Sequence, residues 1–214
     1  MPRKSPWLHT LRSSNAHDLV HAFDNAKIAG RPMVVLFDSG CVDLHDPFVK
    51  ALVETRRIGD RVLLFQGERI VSLADFYEEC VRVMPRVASY FGRNLDALDE
   101  ILRDRDVALA TNSRNDTYWI WQNADVLFTH DSEWFTKLFT VVVDDARDVT
   151  MEIGLGSAES QKIPGQPVFP VLTSRWDALA ETLMNENSFF HTLRFWYTKY
   201  RPDEDSGLLA FRII

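Results

Sequence analysis

Two uninterrupted apolar runs constrain this chain more than anything else in it: Met33-Val34-Val35-Leu36-Phe37, and Val62-Leu63-Leu64-Phe65 directly after Arg61. A strand with water on one face alternates apolar and polar side chains, whereas an unbroken run needs cover on both faces. Turn chemistry bounds each run, with Asp38-Ser39-Gly40 after the first and Gln66-Gly67-Glu68-Arg69 after the second. Thr117-Tyr118-Trp119-Ile120-Trp121 is aromatic and β-branched and reads as a third strand. Further strands are expected at Val149–Leu155, Val168–Leu172 and Leu208–Ile213.

Helical spacing fills the intervals. His17–Ala29 places Leu19, Val20 and Phe23 on one side, with Gly30 as a stop. Pro47–Arg57 is expected to turn Phe48, Leu52 and Val53 inward. Ser72 opens a helix with Asp75 three residues on, Phe76, Cys80, Val83 and Met84 form its stripe, and Pro85 ends it. Leu95–Arg103, Ser132–Ala146 and a helix opened by Ser174 complete the set, and Gly154–Pro167 reads as a loop. Strands alternating with helices predict parallel pairing in an α/β layered fold. With 214 residues, the chain can hold one sizeable core or two small ones.

Composition narrows the function classes. No stretch approaches the ~20 apolar residues of a membrane span, and no apolar run follows the basic residues at the start, as a secretory signal would require. Two cysteines, Cys41 and Cys80, are too few for a disulfide framework, so a reducing, cytoplasmic setting is expected. The net charge is −7, and six of those excess negative charges fall on residues 61–150. Such a surface repels a phosphate backbone and suits a basic partner, although an acidic surface also serves solubility alone.

Residues 90–98 read Tyr90-Phe91-Gly92-Arg93-Asn94-Leu95-Asp96-Ala97-Leu98. Gly92 permits a tight or left-handed backbone, and Asn94 is a natural N-cap. Asp96 falls in the first helical turn, where the dipole favours a negative charge, and Glu100 lies four residues on, with Asp99 beside it. Two aromatics and a turn therefore introduce an acidic helix edge. This stretch resembles the barstar family of intracellular ribonuclease inhibitors. The likeness covers about residues 61–155 and includes Leu64–Ile70, the Ser72–Phe76 helix opening, Trp121-Gln122-Asn123, and Phe135–Ala146 followed by Val149–Leu155. It implies a small parallel sheet packed by helices over 61–156, joined by a loop at 157–167 and extended by α/β segments at 1–60 and 168–214.

The resemblance further implies a non-enzymatic inhibitor, an immunity protein that blocks the active site of a secreted, basic ribonuclease-type toxin. The alternative is a barstar-like adaptor or regulator for a basic protein that is not a nuclease. Carried over by position, Tyr90, Gly92, Asn94, Leu95, Asp96, Asp99 and Glu100 form the partner-binding surface, with Val142 and Asp145 on a neighbouring helix. The family's type member has aspartate where Glu100 stands and tryptophan where Asp99 stands, so its target need not be shared. No catalytic residue, cofactor, metal, nucleic acid or membrane is expected. His17 and His21 share a helix face without a third ligand, and His45-Asp46 before Pro47 reads as a turn with a polar cap. Gly154-Leu155-Gly156 lacks the lysine of a phosphate loop, and the aromatics of Phe189–Tyr200 read as core.

Overall fold

The computed structural model describes residues 8–12, 15–27, 33–37, 39–56, 60–89, 92–103, 117–139, 141–142, 168–175 and 209–214. Six strands are formed by Leu8–Leu11 (β1), Met33–Phe37 (β2), Arg61–Gln66 (β3), Thr117–Gln122 (β4), Val168–Arg175 (β5) and Leu209–Ile213 (β6). Helices run over Ala16–Lys27 (α1), His45–Glu54 (α2), Leu73–Val83 (α3), Leu95–Arg103 (α4) and Asp125–His130 (α5), and residues 132–139 are helical. The strands form a single sheet in the order β1-β6-β2-β5-β4-β3, and every neighbouring pair is parallel. The fold is α/β, as the apolar runs require.

Strand alternation divides the core between the two faces. Leu63 and Phe65 of β3, Trp119 and Trp121 of β4, Leu36 and Leu172 point to one side. There they meet Phe76 and Cys80 of α3, Leu98 and Ile101 of α4, Leu127, Phe135 and Phe139. The Phe65 and Trp119 rings stack at 4.1 Å in this layer. Tyr118, Ile120, Val35, Phe37 and Val171 point to the other side, against Leu19, Val20 and Phe23 of α1 and Phe48, Val49 and Leu52 of α2. Both faces are thus covered, which is why β2 and β3 carry no polar alternation.

Ser72 caps α3 as its sequence predicts, its hydroxyl accepting from the Asp75 N–H at 3.3 Å while donating to the Asp75 carboxylate at 2.7 Å. Val53 is corrected: it is 40% exposed, and Val49 and Ala51 take the inward positions of α2. Ser174 is also corrected. It continues β5, buried opposite Leu36, because pairing with β2 holds the backbone extended through Arg175. β1 and α5 were not anticipated. The former is four residues with no apolar run, and the latter starts at Ala124, which has no capping side chain.

The sheet is continuous across the expected segments 1–60, 61–156 and 168–214, and the strand beside β4 is β5. The expected strand at Val149–Leu155, the Gly154–Pro167 loop, the Gly30 stop and the Phe189–Tyr200 aromatics lie outside the described residues. No helix among the described residues is long and apolar enough to cross a membrane.

Candidate functional site

The acidic edge forms where α4 begins. Asn94 organises the turn with one side chain, its Oδ1 accepting from the Ala97 N–H at 2.8 Å and its Nδ2 donating to the Gly92 carbonyl at 3.2 Å. Its own carbonyl accepts from the Leu98 N–H at 3.1 Å, the first helical bond. The left-handed residue is Arg93, at φ 50°, rather than Gly92. Gly92 matters for space: a Cβ there would lie 3.0 Å from Asn94 Nδ2.

Apolar burial fixes which way α4 faces. Leu98 and Ile101 are in the core and Leu95 is half-buried against it. Asp96 and Glu100, one turn apart, are consequently exposed together, and Asp99 is half-buried at their side. Gly92 and Asn94 are also exposed. The structure therefore brings together Gly92, Asn94, Asp96, Asp99 and Glu100 on one rim.

Val142 does not join them. It is 2% exposed and packed in the core beside Leu138 and Phe139, so it is a packing residue and not a contact. Tyr90 and Asp145 lie outside the described residues. Two residues the sequence did not flag complete the rim. Arg93 Nη1 pairs with Glu78 Oε1 of α3 at 2.7 Å, both side chains being more than half exposed. No local spacing links these two positions, so only the fold could reveal the pair. It directs the one basic group of the turn onto α3 and leaves carboxylates along the outer face of α4.

Among the described residues, no group of three or more histidine, cysteine or acidic side chains is placed to hold a metal ion. His21 has Asn25 Nδ2 at 3.2 Å from its Nδ1.

Residues 61–159 match the family model Barstar (barnase inhibitor). No curated protein matches the chain. Among solved structures, the ORC2 protein of Aeropyrum pernix in its ADPNP–ADP complexes matches at 10% identity and a TM-score of 0.49. That match covers 93% of this chain and 46% of the ORC2 chain, so this chain spans less than half of that protein.

The reading of the whole chain as a toxin inhibitor that blocks an active site does not stand, because the Barstar match is confined to residues 61–159, fewer than half of the chain. The matched family model is named for an inhibitor of a protein, barnase.

Proposed function

We propose that this chain is a protein-binding domain that takes a basic partner protein on the rim formed by Gly92, Asn94, Asp96, Asp99 and Glu100, and performs no chemistry itself. One observation carries the reading: Asp96 and Glu100 are held side by side in water by a helix whose opposite face is locked into the core. A preorganised row of carboxylates steers a cationic surface into contact and gains most where the charge pairs lose water. Asn94 contributes by fixing the start of the helix, and so the direction of both carboxylates.

The test is titration of the full chain against a panel of basic proteins, ribonucleases among them, at low and high salt. The expected result is a complex whose association rate falls with salt, and whose affinity drops by about tenfold or more in Asp96→Ala/Glu100→Ala. Equal affinity of the double variant, at unchanged thermal stability, would overturn the assignment of the rim.

A further inference from the structure

The acidic rim carries a counter-charge of its own, and one contact holds it away. Arg93 is the only basic residue between Arg86 and Arg103, a stretch that also contains Asp96, Asp99 and Glu100. It stands one residue before the Asn94 cap and three before Asp96, which lies in the first turn of α4. Its backbone is left-handed, at φ 50°. That conformation crowds the Cβ of an L residue and is ordinarily left to glycine, asparagine or aspartate. Glycine, which adopts it freely, stands one residue earlier. An unfavourable backbone given to a long cationic side chain is accounted for by what that side chain does.

What it does is cross to another helix. Arg93 Nη1 lies 2.7 Å from Glu78 Oε1 of α3. Asp96 and Glu100 lie closer in the chain, yet no ion pair among the described residues reaches either of them. Both members of the Arg93–Glu78 pair are more than half exposed, so water competes for each and the pair holds by a small margin. Once released, the guanidinium would find Asp96 three residues away. A cation tethered at that distance acts at an effective concentration that a separate protein does not reach. Arg93 is therefore an internal competitor for the carboxylates that a basic partner would use.

We propose that Glu78 is a positioning residue of the rim: it holds Arg93 on α3 and so keeps Asp96 open to a basic partner, and without it Arg93 folds onto Asp96 and closes the rim from within. This rests on the reading of the rim as a surface for a basic protein. Glu78 touches no partner in this role. It acts through Arg93 alone, so its effect vanishes when Arg93 is removed.

Two measurements on the full chain test the proposal, and the first needs no partner. NMR locates the Arg93 side chain in the wild type and in Glu78→Ala. Its nuclear Overhauser contacts to residue 78 in the wild type should be replaced in the variant by contacts to Asp96. An Arg93 side chain left in solvent, or still lying against α3, overturns the proposal.

The second is titration with octa-arginine at low salt. Glu78→Ala is expected to bind about threefold more weakly than the wild type, and Glu78→Ala/Arg93→Ala to bind at least as tightly as the wild type. A clasp that merely steadied the two helices would leave the double variant as weak as the single one. Glu133→Ala separates the effect from net charge: it breaks another exposed ion pair, with Lys137, removes the same charge, and should change the affinity far less. Where binding depends on Asp96 and Glu100, a loss in Glu78→Ala no greater than in Glu133→Ala, or no recovery in the double variant, also overturns the proposal. If Asp96→Ala/Glu100→Ala binds the peptide as the wild type does, the reading of the rim fails instead, and the Arg93 contacts alone decide whether Glu78 restrains Arg93.

Discussion

Glu79 and Arg82 lock together over the outer edge of β3. Arg82 donates through Nε at 2.7 Å and Nη2 at 2.6 Å to the two carboxylate oxygens of Glu79. The same pair reaches the strand: the Gln66 N–H donates to Glu79 Oε1 at 2.7 Å, and Arg82 Nη2 donates to the Leu64 carbonyl at 2.8 Å. β3 is the outermost described strand on this side, and an uncovered strand edge is a template for pairing with another chain. The two side chains thus stand in for a neighbouring strand.

Removing the clasp should weaken the fold and open that edge. Glu79→Ala is expected to lose about 2 kcal/mol, since it leaves the Gln66 amide and the Arg82 guanidinium without their acceptor. Size-exclusion chromatography should show concentration-dependent association of the variant. Burial by itself raises the Glu79 pKa, but the bonds from Arg82 and the Gln66 amide outweigh it and hold the carboxyl below its usual 4.5. A depressed carboxyl contributes stability above the unfolded value and loses it as pH falls through the folded one. Acid sensitivity below about pH 4.5 should therefore diminish in the variant.

His45 acts at higher pH. Burial, opposed by Asp125, lowers its pKa from 6.5 to about 4, so between those values the unfolded chain binds a proton that the folded chain refuses. Stability should fall by roughly 3 kcal/mol as pH drops from 6.5 to 4. Urea unfolding across this window measures the slope, and His45→Gln should flatten it. A slope unchanged by the substitution would assign the effect to another group.

Gly67 has no room for a side chain. A Cβ would sit 2.0 Å from the Gln122 carbonyl oxygen and 2.6 Å from that of Asn123, both backbone atoms at the end of β4. Gly67→Ala must displace the turn after β3 or the strand beside it. A loss of about 3 kcal/mol is expected in denaturant unfolding.

Arg56 joins three elements at once. It donates to Asp24 Oδ1 of α1 through both Nη atoms at 3.1 Å and to the Leu52 carbonyl of α2 at 2.8 Å, and its guanidinium lies 4.6 Å from the Tyr118 ring centroid of β4. Lysine can keep the charge but not the planar fork over the ring. Arg56→Lys should cost about 2 kcal/mol, and a double-mutant cycle with Asp24→Asn would show how much passes through the carboxylate.

What the sequence disclosed was local. The bounds of β2 and α4 match their apolar patterns residue for residue, and the cap at Ser72 and the turn after Phe65 followed from side-chain chemistry. Asp96 and Glu100 were legible as one edge because they lie four residues apart, and Asn94 was legible as the cap before them. Val142 was carried over by position from the resemblance, and a position does not show that its side chain packs into the core here. Ser174 was misread because its hydroxyl suits a cap, while strand pairing with β2 prevailed. His45 drew only a turn reading, since the surroundings of its ring are set by Phe37, Asp125 and Arg175, none of them its neighbour in the chain. Contacts of that range leave no period in a chain.

The strand order carries a consequence for how this protein is made. Leu8 pairs with Ala210 and Leu11 with Ile213, and β6 stands between β1 and β2. On the ribosome, β1 must therefore wait for about 200 further residues before its described neighbour exists. Residues 61–122 can meanwhile pair as β3 and β4. The first of the described strands is among the last to find its place, and until then it is a loose end for chaperones to guard.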